Sequence, residues 1–150
     1  MKLLSFLVVM VLFSSLSSVH AFEFDQYKPG DLDKLLAMPK IKSGVKMVVP
    51  QKLFFRAVLA SPLQNCNTDI LKRTMIMQGG KKEVVEKMAL TKCLNLRSAK
   101  GASISVYIED QVAERLSRQA KPGQVVEVYC SYLFITPAGP TLLVNEFKNI

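Results

Sequence analysis

Residues 102–147, ASISVYIEDQVAERLSRQAKPGQVVEVYCSYLFITPAGPTLLVNEF, decide the fold. From 103 to 108 the side chains alternate: Ile104, Val106 and Ile108 fall on one face, Ser103, Ser105 and Tyr107 on the other. A period of two marks a half-buried strand. After Glu109-Asp110 the period lengthens. Val112, Ala113, Leu116 and Ala120 recur at three- and four-residue steps, as one face of a helix does. Asp110 is expected to cap that helix, its carboxylate accepting from the free N–H groups of the first turn. Glu109 and Asp110 lie at the positive end of the helix dipole, and Arg118 and Lys121 at the negative end. Glu114 and Arg118 have the i,i+4 spacing of an ion pair. Lys121-Pro122-Gly123 ends the helix, because Pro cannot continue it and Gly accepts the turn. Residues 125–135 then read as a strand with Val126, Val128, Cys130, Tyr132 and Phe134 facing inward. Residues 136–140, TPAGP, make a hairpin-length turn into a last antiparallel strand over 141–147.

Working outward, residues 92–97 alternate with Leu94 and Leu96 on the apolar side, and the turn 98–101 joins them to the 103–108 strand. Residues 46–59 are mostly extended, with a strand over 52–59 and an edge or bulge signalled by Pro50. Between them, residues 65–91 are ambiguous. Residues 69–77 suit strand or helix, Gly79-Gly80 is a break, and Val84, Val85 and Met88 have helical spacing that could equally lead into a strand. Residues 22–45 form an arm with a turn at Pro29-Gly30 and a short helix over 31–38, stopped by Pro39. Such an arm either packs on its own domain or docks on a partner.

The assembled order is strand, insertion, strand, strand, helix, strand, strand. Over residues 46–148 this resembles the OB-fold, the five-stranded Greek-key barrel with a helix between its third and fourth strands. The resemblance lies in topology. It implies a mainly β chain with one or two helices (α+β), a barrel over 46–150 and an enlarged first loop. OB-type barrels offer one sheet face with the first and last loops to ligands. Here that means Arg97, Tyr107 and segments 62–91 and 136–140.

Residues 1–21 read as a secretory signal peptide: Lys2, an apolar run of about 14 residues and Val19-His20-Ala21 at the cleavage site. The run is shorter than the roughly 20 residues that span a bilayer. Cleavage leaves 129 of the 150 residues and lowers the net charge from +8 to +7 with the loss of Lys2, a length that suits one domain. Charge is uneven. Residues 22–37 carry Glu23, Asp25, Asp31 and Asp33 against Lys28 and Lys34, whereas residues 40–121 are strongly basic. A basic body favours anionic partners or serves solubility.

Cys66, Cys93 and Cys130 survive cleavage, and export permits a disulfide. Parity places Cys93 on the polar face of its strand and Cys130 on the apolar face. Cys66–Cys93 is therefore the expected bridge, with Cys130 a buried free thiol. The sole histidine, His20, leaves with the leader, which removes histidine-based catalysis and histidine zinc sites. No CxxC and no phosphate-loop motif is present. Asp31/Asp33 and Glu109/Asp110 are close acidic pairs, the second explained by capping. Outward aromatics beside basic residues are the ligand-stacking signature, and Tyr107 and Tyr129, with Arg97 and Lys100, are the candidates. The expected function is an exported, non-enzymatic binding or envelope-assembly module without cofactor, periplasmic or secreted. Its expected partner is an envelope protein or an anionic polymer, with contact to a membrane surface; export places nucleic acid outside the expected partners. The alternatives are a secreted glycan-binding subunit and a carboxylate hydrolase acting on envelope polymer.

Overall fold

The structure, a computed structural model, describes residues 21–150. Residues 1–20, and with them nearly all of the expected leader, lie outside the described residues. Among the described residues seven strands make one mixed sheet: β1 (Lys28–Pro29), β2 (Lys46–Leu59), β3 (Gln64–Asn65), β4 (Lys92–Arg97), β5 (Ser103–Ile108), β6 (Val125–Thr136) and β7 (Gly139–Asn149). Their order is β1-β2-β6-β7-β5-β4-β3, and a further antiparallel pairing joins β2 to β4 at Val58↔Arg97 and Leu59↔Leu96. The helices are α1 (Leu32–Leu36), α2 (Asp69–Met77), α3 (Lys82–Lys87) and α4 (Asp110–Gln119). The chain is thus mainly β with four α-helices among the described residues. The sheet has seven strands rather than the expected five, because β1 and β3, two residues each, join its margins. Among the described residues no helix is long and apolar enough to cross a membrane.

Alternation sets the core. Ile104, Val106 and Ile108 of β5, Leu94 and Leu96 of β4, and Phe55, Ala57 and Leu59 of β2 all face it, and Val112, Ala113 and Leu116 of α4 cover it. On β6 the inward set begins as expected with Val126, Val128, Cys130 and Tyr132. It then changes sides. The register slips between Tyr132 and Phe134, leaving Leu133 without a partner on β7. A bulge of one residue reverses the parity. Ile135 therefore joins the main core, and Leu133 and Phe134 join a second cluster on the opposite face with Leu71, Leu90 and Leu143. That second cluster holds the insertion between β2 and β4 on the sheet: Leu71 comes from α2, and Gln78 Nε2 donates to the Leu133 carbonyl at 2.7 Å.

β2 begins six residues before the expected start, and Pro50 sits in a break of its register against β6 between Met47 and Gln51. A residue without N–H cannot hold a ladder rung there. Two local expectations are corrected. Pro29 is in β1 rather than a turn: Lys28 and Pro29 pair in parallel with Leu53 and Phe54, and Gly30 N donates to Phe54 O at 2.8 Å. Asp110 is the first residue of α4, not its cap. Glu109 occupies the cap position without a side-chain capping bond, its carboxylate accepting instead from Asn145 Nδ2 at 2.8 Å, while the Asp110 carboxylate accepts from Thr91 N at 2.7 Å and Thr91 Oγ1 at 2.8 Å. The Glu114–Arg118 pair forms at 2.8 Å.

The arm packs on its own domain. Asp31 caps α1 by accepting from Lys34 N at 3.1 Å, and Leu32 enters the main core with Leu35 and Leu36 against it. Phe22, Phe24 and Tyr27 gather over Tyr129.

Candidate binding site

β5 pairs with β4 along its whole length, from Lys92↔Ile108 to Arg97↔Ser103. On its other side it pairs with β7 only at Tyr107↔Leu143 and Ile108↔Val144. Residues 103–106 and the start of β7 therefore run side by side without a ladder. Between them lies a groove of about 380 Å3. Its floor is the outer face of β5, with Ser103, Ser105 and Tyr107; Cys66 and Ile70 of the insertion form one wall; Thr136, Ala138, Gly139, Pro140 and Thr141 of the β6–β7 hairpin form the other. A smaller pocket of about 190 Å3 shares Leu36, Ser103 and residues 138–140 with it and extends to Met38, Lys40 and Tyr132. The Tyr132 hydroxyl is buried and has no hydrogen-bond partner among the described residues.

The lining is small and hydroxyl-rich. Two serines and two threonines can donate or accept, and Tyr107 offers a half-buried ring whose hydroxyl donates to Asn67 O at 3.4 Å. Among the described residues, no acidic side chain lines the groove. Burial pushes the Tyr107 hydroxyl above its ordinary range, with Cys66 and Cys93 adding to it. Burial, and then contact with Cys93, push the Cys66 thiol up to about 12. These groups present neutral donors, not charges, to a ligand at ordinary pH.

Of the four residues expected to bind, three share this surface. Tyr107 lies in the groove. Arg97 is exposed opposite Ser103 at the end of β4, and Lys100 is exposed in the turn joining β4 to β5, so the two cations stand at one end of the floor. Tyr129 does not belong with them. It is only 4% exposed, held among Phe24 at 4.8 Å, Tyr27 at 5.4 Å and Phe54 at 5.5 Å between ring centroids, with Lys148 Nζ 5.1 Å from its centroid. Its parity on β6 was as expected, but the arm covers that face. The Tyr129 hydroxyl donates to Glu127 Oε1 at 2.5 Å.

Cys66 and Cys93 are brought to one wall of the groove, yet in this structure both are free thiols and the expected bridge is not formed. β3 explains the approach: it places Cys66 N on Thr91 O at 3.0 Å, so Cys66 lies diagonally across from Cys93 on the same face. Cys130 is fully buried and free, and burial raises its thiol strongly. Sequence reasoning did not single out Ser103, Ser105 or Thr141. Their only signal was outward parity, which any exposed strand residue shares. Comparison of the chain with protein-family models, with curated proteins and with solved structures finds no match.

Proposed function

We propose that the chain is an exported, non-enzymatic binding module whose five long strands make an OB-like barrel and whose ligand lies along the outer face of β5. The barrel is supported by the pairing circuit β2–β6–β7–β5–β4–β2, with β5 and β7 parallel and α4 between β5 and β6. The observation that carries the function is the groove. It is bounded by one sheet face, the insertion after the first long strand and the last hairpin, the three elements that OB-type barrels offer to ligands. The step from fold to function is by analogy; the step from groove to ligand is chemical. Hydroxyls, a tyrosine ring and the basic end formed by Arg97 and Lys100 suit an anionic macromolecule or a protein partner of an envelope assembly. A lining without acidic side chains offers no pair of carboxylates for glycoside hydrolysis, which places the hydrolase behind the binding module.

The test is a titration of isotope-labelled chain 22–150 with heparin fragments, with anionic vesicles and with extended peptides, followed by amide chemical shifts. Shifts concentrated at residues 103–107 and 138–141 are expected for the true ligand class. Shifts confined to other surfaces for all three probes would remove the groove as the binding site.

A further inference from the structure

We infer that the groove takes a polypeptide in extended conformation, which adds as a strand to the free edge of β5; this rests on the groove being the ligand site. The direction of the β5 main chain decides it. In an antiparallel pair, residues alternate between those that exchange hydrogen bonds and those whose groups point away. Asn95 is the partner of Ser105, and its carbonyl is used on the far side, accepting from Ala60 N at 2.8 Å. Asn95 and Ser105 are thus a non-hydrogen-bonded pair, and Ser105 turns its N–H and C=O toward β7. Ser103 shares that parity. So does Glu109, whose N–H donates to Val144 O at 3.2 Å. The ladder to β7 stops at Tyr107. Ser103 and Ser105 therefore present two N–H and two C=O groups along an exposed edge, with a groove of about 380 Å3 in front of them.

An unpaired row of main-chain groups is a template for another strand, and an added strand gains affinity from the ladder and specificity from every second side chain. Across the groove β7 offers less, since Pro140 has no N–H. The small side chains of Ser103, Ser105 and Ala138 leave room for a backbone to approach. Arg97 and Lys100 at one end favour an acidic residue flanking the bound segment. An anionic glycan uses the same cations but has no alternating amide ladder to pair with Ser103 and Ser105.

The experiment starts from chain 22–150 and a phage-displayed library of random peptides of about ten residues, the length of a long strand. The best binder is synthesised and N-methylated one amide at a time. Affinity is expected to fall roughly three- to tenfold at alternate amides and to stay unchanged at those between, because each lost hydrogen bond contributes modestly. The variant Ser105→Pro removes an N–H that points away from β4, so thermal stability should be nearly kept while peptide affinity falls by a similar factor. If that variant does not fold, the N-methyl pattern alone decides. Even tolerance of N-methylation, or no enriched peptide, overturns strand addition. Heparin fragments shifting residues 103–107 in that case would leave the binding module standing with a different ligand, whereas binding of every probe elsewhere would remove both.

Discussion

The Tyr27 hydroxyl joins the arm to three other parts of the molecule. It donates to Asn145 Oδ1 at 3.2 Å, which also accepts from Ser131 Oγ at 2.7 Å, while Asn145 Nδ2 donates to Glu109 Oε1 at 2.8 Å. Burial first, then the neighbouring Cys130, Glu109 and Glu146, push Tyr27 from 10.0 up to about 12. A folded-state value above the unfolded one means that the contribution is fully present below about pH 10 and is lost as pH rises toward about 12. At about pH 11.5 the loss relative to neutral pH is about 2 kcal/mol for this group, at 1.36 kcal/mol per unit. Tyr27→Phe should therefore lower stability at neutral pH by about 1 kcal/mol, through the lost hydrogen bond, yet lose about 2 kcal/mol less than the parent between neutral and alkaline pH. Urea unfolding at both pH values measures this; equal alkaline losses in parent and variant would place the titration elsewhere. The thiols give a second expectation. Cys66 and Cys93 lie diagonally across neighbouring strands, and Cys130 is fully buried. Prolonged treatment with oxidised glutathione at alkaline pH, which supplies the thiolate, should link Cys66 to Cys93, closing a loop of roughly 28 residues and stabilising by about 3.5 kcal/mol. Non-reducing peptide mapping reads the pair, and Cys130 in the bridge would contradict the placement.

Among the elements, the corner between α2 and α3 is the least tolerant. A Cβ on Gly80 would stand 2.8 Å from Met75 O and 2.9 Å from Val85 Cγ2, and the first of these is backbone. Gly80→Ala should cost about 1–3 kcal/mol, measured by urea unfolding; a neutral result would mean the corner opens freely. These two helices were also the hardest to read from sequence. α2 buries only Leu71 and Thr74, and α3 only Val85. Helices of nine and six residues with so narrow an apolar stripe leave no clear period. The long strands were legible because one whole face is buried. β5 keeps strict alternation from Ser103 to Ile108, and α4 shows its stripe through Val112, Ala113 and Leu116. β6 was legible only as far as Tyr132, since the bulge depends on how β7 pairs and not on any residue within the strand. The same limit applies to the site. The sequence marks Tyr107 and Arg97 by parity, but the opening between β5 and β7 follows from a parallel pairing of segments far apart in the chain. The covering of Tyr129 by Phe24 and Tyr27 is equally non-local.

The whole molecule depends on contacts between distant segments. The long ladder of β2 is with β6, and its partners lie from 67 residues apart, Val58 and Val125, to 89 residues apart, Lys46 and Ile135. Otherwise β2 pairs with only two residues of β4 and two of β1. Residues 102–150 are arranged differently: β6 and β7 are joined by a short turn and pair from Thr136↔Gly139 to Val126↔Asn149, with α4 packed alongside. Local pairs close at small entropic cost and distant pairs at larger cost, so the β6–β7 hairpin with α4 should form first and β2 should dock late. A fragment of residues 22–101 then has no β6 to cover Phe55 and Ala57 and should be unfolded, with collapsed amide dispersion. Mixed with residues 102–150, it should recover the dispersed spectrum of the intact chain, because the missing ladder is supplied in full. The intact chain should refold in milliseconds to seconds, the range of domains dominated by non-local strand pairing. Mutations at Phe55 should then chiefly speed unfolding, and those at Val128 should also slow refolding, as expected when an early-forming segment is weakened. A well-dispersed spectrum from residues 22–101 alone would reverse this order, since it would mean that β2 and β4 make a core without the C-terminal hairpin.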